Sequence, residues 1–204
     1  MLLAPHAPGI EACDNDSSLI HEEASAHPVR WNGTLVLQAD GREESFAIGP
    51  DGCVWNLSRA SQNQQDPGQL LPTGLKATSF AASLDAQDRL VVLAAHGQQL
   101  CAAVQVQRIS DSPAQHWRTT HCSKFSSPVR LGIPLLPTGS SIVRVLCEGE
   151  GEQLHVGVLV HCLSSGTIML FAARWLDSGP VQLKEVEAGG NWRDALVALQ
   201  RLAA

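Results

Sequence analysis

The stretch Ala39-Asp40-Gly41-Arg42-Glu43-Glu44-Ser45-Phe46-Ala47-Ile48-Gly49-Pro50-Asp51-Gly52-Cys53-Val54-Trp55 decides how this chain is read. Two Asp-Gly pairs, at 40–41 and 51–52, each separate short runs that alternate apolar and polar residues. Asp-Gly between such runs is the strongest short-range hairpin signal, because glycine supplies the left-handed backbone a tight turn needs. With Thr34-Leu35-Val36-Leu37-Gln38 upstream, the stretch predicts a three-stranded meander.

The meander returns. Ala86-Gln87-Asp88-Arg89-Leu90-Val91-Val92-Leu93-Ala94 aligns with Ala39–Ala47, and Gln99–Gln105 takes the place of the strand that starts at Cys53. A second echo relates Leu70-Leu71-Pro72-Thr73-Gly74 to Leu135-Leu136-Pro137-Thr138-Gly139. Each copy precedes an apolar strand, a polar turn and another strand, with the extra length placed near 108–130. A four-stranded unit that recurs every 40 to 50 residues or so is the pattern of a β-propeller blade.

The expected fold is all-β: a propeller-like array of about three four-stranded blades, at about 33–72, 77–122 and 140–187, within a repeat domain over 31–188. A β-sandwich or barrel is the alternative. Residues 1–30, with Pro5, Pro8, Gly9, a polar run at 14–18 and Pro28, read as a flexible leader. After Gly189-Gly190, Asn191 is a good N-cap. Trp192, Leu196, Leu199 and Leu202 then fall on one face at helical spacing. Residues 189–204 are thus expected to form an amphipathic helix that packs on its own sheet or docks into a partner. Three blades are too few to close a ring, so a homodimer or a protein partner is expected to complete the sheet array.

Composition narrows the function classes. The chain has 204 residues, 44% hydrophobic and 17% charged, with four Phe, five Trp and no Tyr, so Leu, Val, Ile and Ala must fill the core. The net charge of −6 and the lack of any basic run argue against nucleic acid and against an anionic membrane surface. No apolar run is long enough to span a bilayer, and the first residues do not read as a signal peptide. The six cysteines are scattered without a Cys-x-x-Cys pair. They read as reduced core residues and point to a cytoplasmic location. Cys53 and Cys101 open equivalent strands and are expected to be buried, reduced and unreactive.

The stretch from Ala39 to Trp55 resembles a blade of the tectonin-like and bacterial fucose-binding propeller lectins, which tend to read Asp-Gly-Arg, an apolar strand, Gly-x-Asp-Gly, then a strand ending in Trp. The resemblance is good over this blade and partial over 77–106. It implies a β-propeller that binds sugars between blades through Trp and Arg. On that reading Arg42, Trp55, Arg89, Trp117 and Trp175 are the ligand-binding candidates. The second copy lacks the closing Trp, and the third ends in Trp175 without the Asp-Gly-Arg.

No catalytic signature is present: no Gly-x-Ser-x-Gly, phosphate loop, dinucleotide fingerprint or His-Glu-x-x-His. His116, His121 and Cys122, and His155, His161 and Cys162, are zinc-ligand types. Strand alternation places His161 and Cys162 on opposite faces, and His155 lies about 20 Å from His161 along a strand. No metal or cofactor is expected. The function read from the sequence is a non-catalytic protein-interaction scaffold or assembly subunit, with a carbohydrate-binding, lectin-like module as the alternative. Trp192, Leu196, Leu199 and Leu202 are the partner-binding candidates.

Overall fold

The computed structural model describes residues 34–39, 41–60, 68–106, 125–150, 153–176, 179–180, 182–186, 197–198 and 201. The expected leader over 1–30 and Trp117 lie outside them. The described residues form three antiparallel sheets, each a meander in chain order. Sheet 1 holds β1 (Leu35–Leu37), β2 (Arg42–Ile48), β3 (Cys53–Ala60) and β4 (Gln69–Lys76). Sheet 2 holds β5 (Ser79–Leu84), β6 (Leu90–His96), β7 (Gln99–Val104) and β8 (Val129–Arg130). Sheet 3 holds β9 (Ser140–Glu150), β10 (Gln153–Cys162) and β11 (Thr167–Leu176). Two short strands, β12 (Gly179–Pro180) and β13 (Lys184–Val186), pair with β11. The all-β class and the count of three sheets agree with the repeat. Prolines Pro72 and Pro180 fall on edge strands, where a missing N–H breaks no inner ladder.

The turns explain why the repeat is legible. At the first, Gln38 N–H donates to Arg42 O (3.0 Å) and Gly41 N–H to Gln38 O (2.9 Å). At the second copy Asp85 N–H donates to Arg89 O and Asp88 N–H to Asp85 O, both at 2.9 Å. Gly41 (φ 81°) and Asp88 (φ 56°) hold the same left-handed position. This is a three-residue loop whose last residue is left-handed, which glycine adopts freely and aspartate tolerates. The turn from Gly49 to Cys53 has the same bonds, at 2.8 and 3.0 Å, with Gly52 at φ 77°.

Sheet 2 is packed between the other two. In β6 side chains alternate: Val91, Leu93 and Ala95 join Ile142, Val145, Leu154, Val156, Val158, Phe171 and Trp175 of sheet 3. Leu90, Val92 and Ala94 join Val36, Phe46, Val54 and Leu75 of sheet 1. Two buried faces account for the unbroken apolar run from Leu90 to Ala95. With few aromatics available, Phe46 and Phe125 meet edge to face at 6.3 Å in the first interface. Backbone groups also tie the sheets: Val145 N–H donates to Ser79 Oγ (3.1 Å) and Ile142 N–H to Gly97 O (2.8 Å).

The helix expected over 189–204 is not among the described elements. Trp192, Leu196, Leu199 and Leu202 lie outside the described residues. Val197, Ala198 and Arg201 have helical backbone, and Ala198 packs on the outer face of sheet 3 against the cluster of Leu159, Ile168 and Leu170. The cysteine expectation needs a correction at Cys53, which is buried but disulfide-bonded. Cys101, Cys147 and Cys162 are not disulfide-bonded. Scattered spacing carries no information on which cysteines meet in space, so the sequence could not expose that bond.

Candidate functional site

The residues singled out for ligand binding are placed in separate environments. Arg42 opens β2 on the face shared with Glu44 and Phe46, turned toward sheet 2, and is half-buried. Trp55 pairs with Ala47 on the opposite, outer face of sheet 1. It too is half-buried, and its indole N–H donates to both carboxylate oxygens of Asp51 at 3.2 Å. Arg89 is held in its own turn: Nε donates to Asp85 Oδ2 at 2.8 Å and Nη2 reaches the same oxygen at 2.6 Å. The Asp85 carboxylate also accepts the backbone N–H groups of Gln87 and Arg89, so this arginine is part of a turn clamp. Trp175 is buried opposite Leu154 in the core between sheets 2 and 3. The described members of the set do not converge on one cavity.

A different group does converge, between sheets 1 and 2. Glu44 is completely buried, and its carboxylate accepts Asn56 Nδ2 at 2.8 Å and Ser58 Oγ at 2.9 Å. Nearby on the same interface Gln105 Oε1 accepts Gln38 Nε2 (2.9 Å) and Leu90 N–H (3.1 Å). Buried polar groups persist when they are hydrogen-bonded, and these fix how the two sheets meet. Asn56, part of an Asn-Leu-Ser triplet, is thereby committed to the interior. The sequence signal for Glu44 was its place in the alternation, two residues before the apolar Phe46.

Among the described residues, one exposed apolar surface lies where β1 meets β5. Leu35 and Leu37 are 63% and 61% exposed on a three-residue edge strand. They line a groove of about 480 Å³ with Ala82, Leu84 and Asp85. A second, smaller groove of about 330 Å³ runs along 130–136 beside Gln98, where Leu135 is fully exposed. Among the described residues no three His, Cys, Asp or Glu side chains cluster to hold a metal. His155 and His161 do share the outer face of sheet 3, opposite Arg174 and Ile168. No described helix is long and apolar enough to cross a membrane. Neither a scan against protein-family models nor a search of curated proteins found a match to this chain.

Proposed function

We propose that this chain is a non-catalytic interaction module, an open propeller-type array of three blades that a second copy completes at sheet 1. The observation that carries the reading is the direction of stacking. Glu44 and Phe46 of sheet 1 face sheet 2, and their counterparts one repeat later, Val91 and Leu93, face sheet 3. Equivalent faces therefore point the same way along the stack, as in successive blades and unlike the two facing sheets of a sandwich. The outer face of sheet 1 is then the counterpart of the face that sheet 2 buries; it buries Ala47, Cys53 and Leu57 and carries exposed Leu35 and Leu37 beside half-buried Trp55, Leu70 and Pro72. The other end of the stack has a cover of its own in Ala198.

An exposed leucine pair at one end of the stack favours a closed two-fold pair over a filament. The face is also self-complementary in charge, with exposed Glu43 directly across from exposed Arg59. Sedimentation equilibrium on the full chain tests the reading. A dimer is expected, reduced to monomer by Leu35→Asp with Leu37→Asp while the β-type circular dichroism is kept. A monomer at micromolar concentration overturns it. The glycan-binding alternative rests on Trp55, the half-exposed candidate beside a carboxylate, and a glycan array that is positive for the wild type and negative for Trp55→Ala would favour it.

A further inference from the structure

β10 ends at Cys162, on the face of sheet 3 that looks toward sheet 2. Ser140 of β9 and Thr167 of β11 are its direct cross-strand neighbours and share that face. Cys162 Sγ lies 3.1 Å from Ser164 Oγ in the turn that follows. Ser165 Oγ is 2.6 Å from Thr167 Oγ1. Ser140 is 95% buried, and its hydroxyl makes no hydrogen bond. A buried hydroxyl without a partner is costly and rare. This one stands across from a thiol, a weak acceptor that becomes a strong one when it ionises. Ionised Cys162 gives Ser140 the acceptor it otherwise lacks.

We propose that Cys162 is a modification site, a thiolate held in a nest of serine hydroxyls that exchanges with a small disulfide of the oxidised-glutathione type. The Cys162 sulfur attacks one sulfur of the disulfide. A new S–S bond forms, the old one breaks, and the other half leaves as a thiolate. Cys162 is oxidised and the departing sulfur reduced, with no proton consumed. The reactant must be small, because Cys162 is 2% exposed and is approached through the exposed turn 163–166. Exchange is fast only for the thiolate. Hydrogen bonds donated to the thiolate, Ser164 first, then Ser165 and last Ser140, whose hydroxyl has no partner while the thiol is neutral, lower this thiol from 9.0 to about 6. No charged side chain among the described residues of β9, β10 or β11 shares its face. The other titratable group on that face is Cys147, farther along it; exposed His96, at the end of β6, falls on the face of sheet 2 that carries Ala94 toward sheet 1. Cys101 is the opposite case, raised by burial against the weaker pull of Arg130.

The test uses the folded full chain with oxidised glutathione, peptide mass mapping, and a series of pH values. Cys162 is expected to take one glutathione, at a rate that climbs through about pH 6 and levels off near neutrality. Cys101 should stay unmodified. Ser140→Ala, with its fold checked by circular dichroism, should move the midpoint upward and slow exchange several-fold at neutral pH. Ser164→Ala provides a second, surface-side variant with the same expected direction. Modification of Cys162 only after denaturation overturns the proposal. So does a rate that still climbs like that of an ordinary thiol above pH 8, or a profile that neither serine variant shifts.

Discussion

Sheet 1 and sheet 2 share a strand plan and a turn, but their central strands differ: β2 reads Arg-Glu-Glu-Ser-Phe-Ala-Ile and β6 reads Leu-Val-Val-Leu-Ala-Ala-His. Glu44 stands where β6 has Val91, and Ser45 where it has Val92. The unit therefore does not dictate its own polarity; place in the stack does. A strand covered on both faces must be apolar throughout, whereas one at the end of the stack can carry Glu43 and Ser45 outward. Its single buried carboxylate is tolerated because Asn56 and Ser58 donate to it.

The contrast can be broken by mutation. Leu93→Ala removes a side chain with no exposure at all and should cost about 2–5 kcal/mol in a denaturant titration. Leu35→Ala in dilute protein should change stability by about 0.5 kcal/mol or less. Equal losses at both positions would mean that sheet 2 is not the enclosed layer. Next in size, Asn56→Ala deprives the buried Glu44 carboxylate of a donor at 2.8 Å and should cost about 1–3 kcal/mol; an unchanged midpoint would show that the polar seam is wet. The turns come next. Gly41→Val forces a branched side chain into φ 81° and should cost about 1–2 kcal/mol. Asp88→Gly should be close to neutral by thermal melting. Relief at φ 56° is offset by the 3.4 Å bond from Ala39 N–H to Asp88 Oδ1 that fastens one turn to the other.

Much of the fold was written locally. Asp-Gly at 40–41 announces its turn outright, and the turn at 85–89 becomes visible once Asp88 is aligned with Gly41. The run from Leu90 to Ala95 carries its two-sided burial in its composition. The echo at 135–139 is a partial match: Gly74 and Gly139 are both left-handed and both precede the first strand of a sheet. Yet 70–74 pairs within β4 while 135–139 stays unpaired. The candidate site was far less legible. Trp55 and Trp175 look alike in sequence, each in an apolar strand. Which is core depends on whether another sheet lies over that face, a contact between residues far apart in the chain. Arg89 looked available because its partner Asp85 is an ordinary turn residue until the carboxylate is seen to gather two backbone N–H groups and the Arg89 guanidinium. The Ser140–Cys162 pair is separated by a full hairpin and has no motif.

The five-residue turn also limits how such a chain can have grown. Side chains alternate along a strand, so one residue added inside a hairpin would carry every following apolar residue to the wrong side. Both copies of the first hairpin have kept their length, even where glycine gave way to Asp88. The added segment lies instead between β7 and β8, where the next strand is two residues long and makes few ladder bonds. Duplication followed by divergence could lengthen this protein at its joints, while its hairpins stayed fixed in size and free to change only in composition.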